Sequence, residues 1–290
     1  MYNSNNEFFM SPKNDYVFKK IFGDENNKDI LSSFLSCVIN EQINDVSILN
    51  NEITKENTAD KKSILDIRAT INDGVQIDIE IQLSRTIYMP ARSLYYWSKI
   101  YMEQLQIGQI YKKLNRTICI NILDFISTES KKYHSVYRLK ETEENFELTN
   151  LMEIHFIEIP KLKGYEKNDM LSQWINFINA DSREELKKMA IVNKNIDKAF
   201  DILNVMSQNK EERAAYLSRE MALHDEVTKL EEALQEGRQE GLEEGRQEGL
   251  EEGEKKKALE IAKNLLDILD NETIAIKTGL TLDEIENLRK

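Results

Sequence analysis

Residues 63–83, SILDIRATINDGVQIDIEIQL, constrain the fold more than any other stretch. They read as two strands of alternating polarity around Asn72-Asp73-Gly74, a strong hairpin signal. In the second strand Gln76, Asp78, Glu80 and Gln82 share one face, and Ile77, Ile79, Ile81 and Leu83 the other. A two-residue loop at Asp73-Gly74 would set Asp66 opposite Ile81 and mix polar with apolar residues along the whole ladder. A three-residue loop, with Gly74 left-handed, pairs Ile71 with Val75, Ala69 with Ile77, Ile67 with Ile79 and Leu65 with Ile81. A slip of one residue flips every side chain, so the hydrophobic pattern selects the three-residue loop.

On the polar face this register sets Arg68 against Asp78 and Asp66 against Glu80. The first pair is complementary. The second opposes two carboxylates, which is unfavourable unless a cation or a proton lies between them. A solvated face of an antiparallel sheet is the plain alternative. Against it, this face carries several acids and two Gln but no Lys, beside a strongly apolar face. A hard cation such as Mg²⁺ takes oxygen ligands from one or two carboxylates and keeps several waters, and Asp66 and Glu80 would supply those oxygens.

An Asp at the end of one strand followed by Glu-x-Gln in the next resembles the PD-(D/E)xK nuclease core, with Gln82 in the usual Lys place. SPKNDYVFKKIFGDENNKDILSSFLSCVI (residues 11–39), then ILDIRA, DIEIQL and ARSLYYWSKIYMEQLQIGQIYKKL (residues 91–114), narrow this. Together they resemble the Rpn family of recombination-promoting nucleases, or putative transposases, over roughly residues 8 to 180 and on into the tail. Each motif alone is short; four in order are specific.

The resemblance implies an α/β (α+β) fold, a restriction-endonuclease-like mixed sheet flanked by helices and followed by a helical C-terminal tail. It implies a site in which Asp66, Glu80 and the Ile81 carbonyl hold Mg²⁺ or Mn²⁺ and Gln82 orients the attacking water. In this family Glu-x-Gln is the usual form, so the Lys role falls to a neutral amide. Asp15 is a possible accessory acid by the same resemblance and an N-cap by its own position.

The net charge of −13 is unusual for a DNA-binding protein, but it is unevenly spread. Residues 221–290 hold 19 acids and 10 bases, leaving 33 acids and 29 bases in residues 1–220. A basic rim of Lys13, Lys19, Lys20, Arg85, Arg92 and Lys99 is available to phosphate, with Lys19, Lys20, Arg85 and Arg92 the candidate contacts. Binding is expected to be salt-sensitive and weakly sequence-specific. Arg92 reaches either a phosphate or a neighbouring acid.

Cys37 and Cys119 sit in apolar runs and read as small buried hydrophobes, and the three His lack metal-ligand spacing. No secretory n-region and no apolar run near 18 residues is present, so a soluble, cytoplasmic chain without membrane contact is expected.

Helices are expected over residues 15–22 and 27–39, a short extended piece at 43–48, and a polar loop at 50–62. A long helix is expected over 91–114, with an aromatic-rich face of Leu94, Tyr95, Trp97, Tyr101, Leu105 and Tyr111 packed on the sheet. TICINILDF (117–125) reads as a central strand buried on both faces. Further strands are expected at 134–139, 146–148 and 154–159, and helices at 169–178, 183–189 and 196–206. His155 reads as an exposed or satisfied sheet residue rather than a catalytic base.

The domain plan is a nuclease domain over 1–185, a helical extension over 186–235, a Gly/Glu repeat linker over 236–254 and a small helical tail over 255–290. In the repeat, EGRQEGLE occurs twice, with Gly at every fourth position from Gly237 to Gly253. Each Gly costs a helix about 1 kcal/mol relative to Ala, so a flexible tether or marginal helix is expected. The tail text IAIKTGLTLDEIENL resembles a helix-turn-helix pair, but Asp283, Glu284 and Glu286 stand where a recognition helix needs bases. A partner-binding or self-association module is preferred there, and a homo-oligomer is expected.

The reading is a metal-dependent DNA endonuclease that promotes recombination. Its competitor is a catalytically silent nuclease fold serving as a protein-interaction or regulatory module. A DNA-binding regulator acting through the tail is a third reading.

Overall fold

In a computed structural model of the chain, residues 8–51, 65–163, 169–191 and 193–289 are described. Expectations for residues 1–7 and for most of the 50–62 loop lie outside them. The chain divides into two units, Met1–Leu223 and His224–Lys290.

In the first unit, helix α1 (Asp15–Phe22) follows Asn14, whose side chain accepts the Tyr16 N–H as N-cap. Asp15 is therefore not the cap, contrary to the reading from position alone; it is the first helical residue, where a negative charge favours the helix dipole. Helix α2 (Lys28–Ile39) buries the stripe Ile30, Leu31, Phe34, Leu35, Val38 and ends at Asn40, with φ 58°. Strands β1 (Val46–Leu49), β2 (Ile67–Ile71) and β3 (Val75–Gln82) form an antiparallel meander. Helix α3 (Met89–Glu103) crosses over to β4 (Thr117–Leu123), which lies parallel to β3. Strand β5 (His134–Tyr137) pairs antiparallel with β6 (Met152–Glu158), itself parallel to β4. The sheet of the described residues is six-stranded and mixed, in the order β1-β2-β3-β4-β6-β5.

The hairpin register is the expected one: Ile67 with Ile79, Arg68 with Asp78, Ala69 with Ile77, Ile71 with Val75. Gly74 has φ 94°, open to a residue without Cβ, and a Cβ there would also meet the Asn115 side chain at 2.7 Å. The ladder stops at Ile67 and Ile79, and side chains take over beyond it.

The central registers align Asp78 with Cys119 and Ile154, and Glu80 with Asn121 and Phe156. These rows lie on the face that α3 covers, where Cys119, Leu123, Ile154 and Phe156 pack with Met89 and Ile100. The opposite face carries Ile67, Ile77, Ile79, Ile81, Ile118, Ile120 and Ile122. It is covered by α1, α2 and the later helices α4 (Met170–Ile178), α5 (Arg183–Ala190) and α6 (Lys194–Gln208). Strand β4 is buried along its whole length, as its nearly all-apolar text implied.

Other expectations fail. Helix α3 ends at Glu103, and a turn through Gly108 (φ 86°) leads to a short 3₁₀ turn at Tyr111–Lys113, so the helix does not reach residue 114. The expected aromatic packing face is only partly inward: Trp97 packs against the core, but Leu94, Tyr95 and Tyr111 are exposed, and α3 buries Met89, Ser93 and Ile100. Residues 146–148 make only an isolated bridge, Lys140 with Glu147, in place of a strand.

Helix α7 (Lys210–Leu265) runs through the glycine repeat, where a tether or marginal helix was expected. A Cβ on any of the five repeat glycines would meet nothing within 4 Å. The helix-favouring Glu, Gln, Leu and Arg between the glycines, and pairs such as Gln247 with Glu251 at 3.1 Å, support it. In the second unit, the end of α7, α8 (Asn271–Thr278) and α9 (Leu282–Leu288) enclose a small core of Ala262, Ile274, Leu280 and Ile285. Gly279, with φ 74°, caps α8, and a Thr281/Glu284 capping box opens α9. Among the described residues no helix is long and apolar enough to cross a membrane.

Candidate active site

The polar face of the hairpin is not solvated. Asp78 and Glu80 are 1% and 3% exposed, beneath α3. Asp66 precedes β2 by one residue, and its backbone N–H donates to Glu80 Oε1 at 3.1 Å. In return the Ile81 N–H donates to Asp66 Oδ2 at 2.9 Å. Where the ladder ends, the two opposed acids thus clasp each other's strand through main-chain donors, and each keeps one oxygen for another partner.

Those remaining oxygens face cations. Lys19 Nζ, from the last turn of α1, lies 2.8 Å from Asp66 Oδ1. Arg92 Nη2, from the first turn of α3, lies 3.1 Å from Glu80 Oε2, and its Nη1 donates to Gln82 Oε1 at 3.1 Å. The Arg92 guanidinium also stacks on the Tyr96 ring, 5.2 Å from its centroid. Gln82 Nε2 donates to the Ser84 carbonyl at 3.3 Å. Side chains of Asp66, Lys19 and Arg92 are 15%, 34% and 36% exposed, so the cluster opens to solvent on their side while Glu80 forms its floor.

The electrostatics follow from burial. Desolvation, with the Asp78 and Asp66 charges next, drives the Glu80 proton affinity well above the usual glutamate range, against the pull of Arg92. Asp78 is pushed up to about 7, first by burial, against a hydrogen bond from the Cys119 thiol. Its Oδ1 has no hydrogen-bond partner, and the Arg68 guanidinium opposite it goes instead to Glu103 on α3, at 2.8 Å. A folded-state pKa above the unfolded value means stability is lost as pH rises from about 4 through about 7. Asp78→Asn is therefore expected to raise Tm by a few degrees at pH 8, with the gain fading toward pH 4, in paired thermal melts.

The other sequence candidates are placed as follows. Asp15 does not join the carboxylate pair: its Oδ1 accepts Arg219 Nε at 2.6 Å, and its Oδ2 stands 3.8 Å from Lys19 Nζ. Lys20 turns away to Glu212, at 3.0 Å. Arg85 is exposed on the loop after β3. His155 is buried on the other face of the sheet, between His134 and Glu153.

Among the described residues no cluster of three or more His, Cys, Asp or Glu gathers to hold an ion. The arrangement is instead a pair of acids whose remaining oxygens each hold a cationic group, Lys19 and Arg92. That donor set suits one hard divalent cation with water completing its shell.

A family model described as PD-(D/E)XK nuclease family transposase matches residues 12–233. The chain belongs to this family. The six-stranded mixed sheet with flanking helices agrees with a PD-(D/E)XK nuclease fold. Searches among curated proteins and among solved structures returned no match. Membership in the PD-(D/E)XK nuclease family implies a nuclease- or transposase-like role, hydrolysis of nucleic acid and DNA as substrate. PD-(D/E)XK nucleases generally use divalent metal ions.

Proposed function

We propose that the protein is a Mg²⁺- or Mn²⁺-dependent DNA endonuclease. The observation that carries this reading is the clasped pair: Asp66 and Glu80 on adjacent strand ends, each with one oxygen left over. Asp66 and Glu80 would hold the cation, with the Ile81 carbonyl as third protein ligand. The Ile81 N–H points to Asp66, and in an extended strand the carbonyl of the same residue points to the same side. When bound, a divalent cation neutralises charge on a phosphate and acidifies water.

The chain's own residues do the rest. Main-chain donors keep both carboxylates in place before any ligand arrives, so the acids themselves are preorganised. Gln82, fixed by Arg92 and Ser84, keeps a second amide hydrogen with which to orient water. Hydrolysis joins the water oxygen to phosphorus, breaks the bond from phosphorus to the leaving sugar oxygen, and delivers a proton to that oxygen. Strand breaks of this kind feed recombination, the role the sequence resemblance implies. Binding by Arg85 through phosphates would be salt-sensitive and weakly sequence-specific.

The test is nicking of supercoiled plasmid by the full chain. Conversion to open circles is expected with Mg²⁺ or Mn²⁺ and not with chelator. One observation favours a silent module instead: Arg92 already ties Glu80 to Gln82. A chain that binds no Mn²⁺ in a titration and leaves plasmid intact would establish that second reading.

A further inference from the structure

The Glu-x-Gln signature lacks the cation that the wider superfamily places two residues after its Glu. The fold brings one from elsewhere. Lys19 lies far from Glu80 in sequence, yet its ammonium sits on the Asp66 oxygen that the backbone leaves free. Of the four cations that the sequence offered to phosphate, Lys20 is engaged by Glu212 and Arg85 stands on an exposed loop. Arg92 is held at once by Glu80, Gln82 and the Tyr96 ring.

The position of Lys19 is built in. Gly23 closes α1 by donating its N–H to the Lys19 carbonyl at 2.8 Å. A Cβ at Gly23 would meet that carbonyl at 2.7 Å and Ile67 at 3.4 Å. The last turn of α1 thus lies against the start of β2, one residue from Asp66. Asp15, a turn earlier and itself fixed by Arg219, flanks the ammonium at 3.8 Å. The ammonium is a compact charge with three donors on a flexible stem, so it can leave Asp66 for another anion a few ångströms away.

We propose that Lys19 replaces the missing strand lysine as the positioning residue of the cleavage site. In the free protein it serves as counter-ion to Asp66. With Asp66 engaged by a divalent cation, the Lys19 ammonium would be free to face the scissile phosphate and the attacking water. One positive charge at Asp66 would thus stand in for another, and Lys19 would keep its charge for phosphate. This inference rests on the nuclease reading above, and one experiment separates the two.

Wild type, Lys19→Gln and Lys19→Arg are compared by Mn²⁺ titration of the free protein, by affinity for a DNA duplex and by single-turnover cleavage at saturating duplex. Lys19→Gln is expected to bind Mn²⁺ as tightly as wild type or more tightly, because a competing charge is gone. Its cleavage rate at saturation is expected to fall about 100-fold, the usual effect of losing one well-placed donor. Lys19→Arg is expected to recover part of the rate. A Lys19→Gln protein that cleaves at the wild-type rate overturns the inference and leaves the nuclease reading standing. So does a loss of Mn²⁺ affinity in step with the rate, which would show that Lys19 only props Asp66. If wild type itself cuts no DNA with any divalent ion, the nuclease reading falls and takes this inference with it.

Discussion

Glu80→Gln and Asp66→Asn are each expected to cut the rate of divalent-ion-dependent DNA cleavage by at least about 1,000-fold, or ~4 kcal/mol of transition-state stabilisation. The amide of Glu80→Gln still presents an oxygen to the Asp66 N–H, so the local main chain keeps its partner. What disappears is the charge. Burial and the neighbouring acids raise the Glu80 pKa in the folded state, so ionising it costs stability as pH climbs past the ordinary glutamate range. Glu80→Gln has no such cost, and its Tm at pH 7.5 is expected to equal or exceed that of wild type. Plasmid nicking alongside calorimetric melts checks both halves. A stable Glu80→Gln protein that still nicks at the wild-type rate would remove this carboxylate from the site.

The second large effect lies on the other face of the sheet. Glu153, 2% exposed, accepts Arg116 Nη2 at 2.8 and 2.9 Å, Arg138 Nε at 2.6 Å and His155 Nε2 at 2.6 Å. His155 Nδ1 in turn meets His134 Nε2 at 2.8 Å, and the two rings stack. The carboxylate takes a donor from His155 Nε2, and with a neutral His155 ring the hydrogen between the rings is carried by His134 Nε2. Glu153→Ala strips one carboxylate from two guanidiniums and a buried ring. Breaking a buried pair from one side costs about 3–5 kcal/mol, which lowers Tm by roughly 6 °C or more in a chain of this size.

The same network sets an acid limit. Burial, then the neighbouring imidazole, lowers the His134 pKa to about 4, so stability is lost as pH falls from about 6.5 through about 4. Glu153 is held down to about 2 by His155, Arg138 and Arg116, which outweigh its burial, so its share is lost between about 4.5 and 2. Melts from pH 8 to pH 3 are expected to show both limbs in wild type. The lower limb is expected to vanish in Glu153→Ala, and the upper one to flatten in His134→Gln. A pH-independent difference between Glu153→Ala and wild type would refute the assignment.

The hairpin register was legible because a strand's period is two and only one loop length keeps Ile67, Ala69 and Ile71 on the side of Ile77 and Ile79. The opposition of Asp66 and Glu80 follows from the same count, and β4 announced its burial by its composition. Other features depend on contacts between distant segments, which periodicity does not encode. Arg68 and Asp78 are register partners, yet Glu103 on α3 takes the guanidinium. Arg92 was balanced between a phosphate and an acid, and the acid it holds is Glu80. His155 alternates with apolar residues, as a satisfied sheet residue would, but its partners come from β5 and from Glu153, two positions away on the same face. Leu94 and Tyr95 of α3 point outward although their spacing fits a helix face, because spacing does not say which face the sheet takes.

The clasp between Asp66 and Glu80 joins residues only 14 apart in the chain, across one tight turn. Closing so short a loop costs little entropy, whereas the α3 crossover to β4 and the docking of α1 close much longer ones. A nascent chain that has emerged through residue 83 already contains both acids and the turn that opposes them. Their positive partners, Lys19 on α1 and Arg92 on α3, reach them only as those helices dock, so the charges of the pair are balanced by long-range contacts rather than by the hairpin itself.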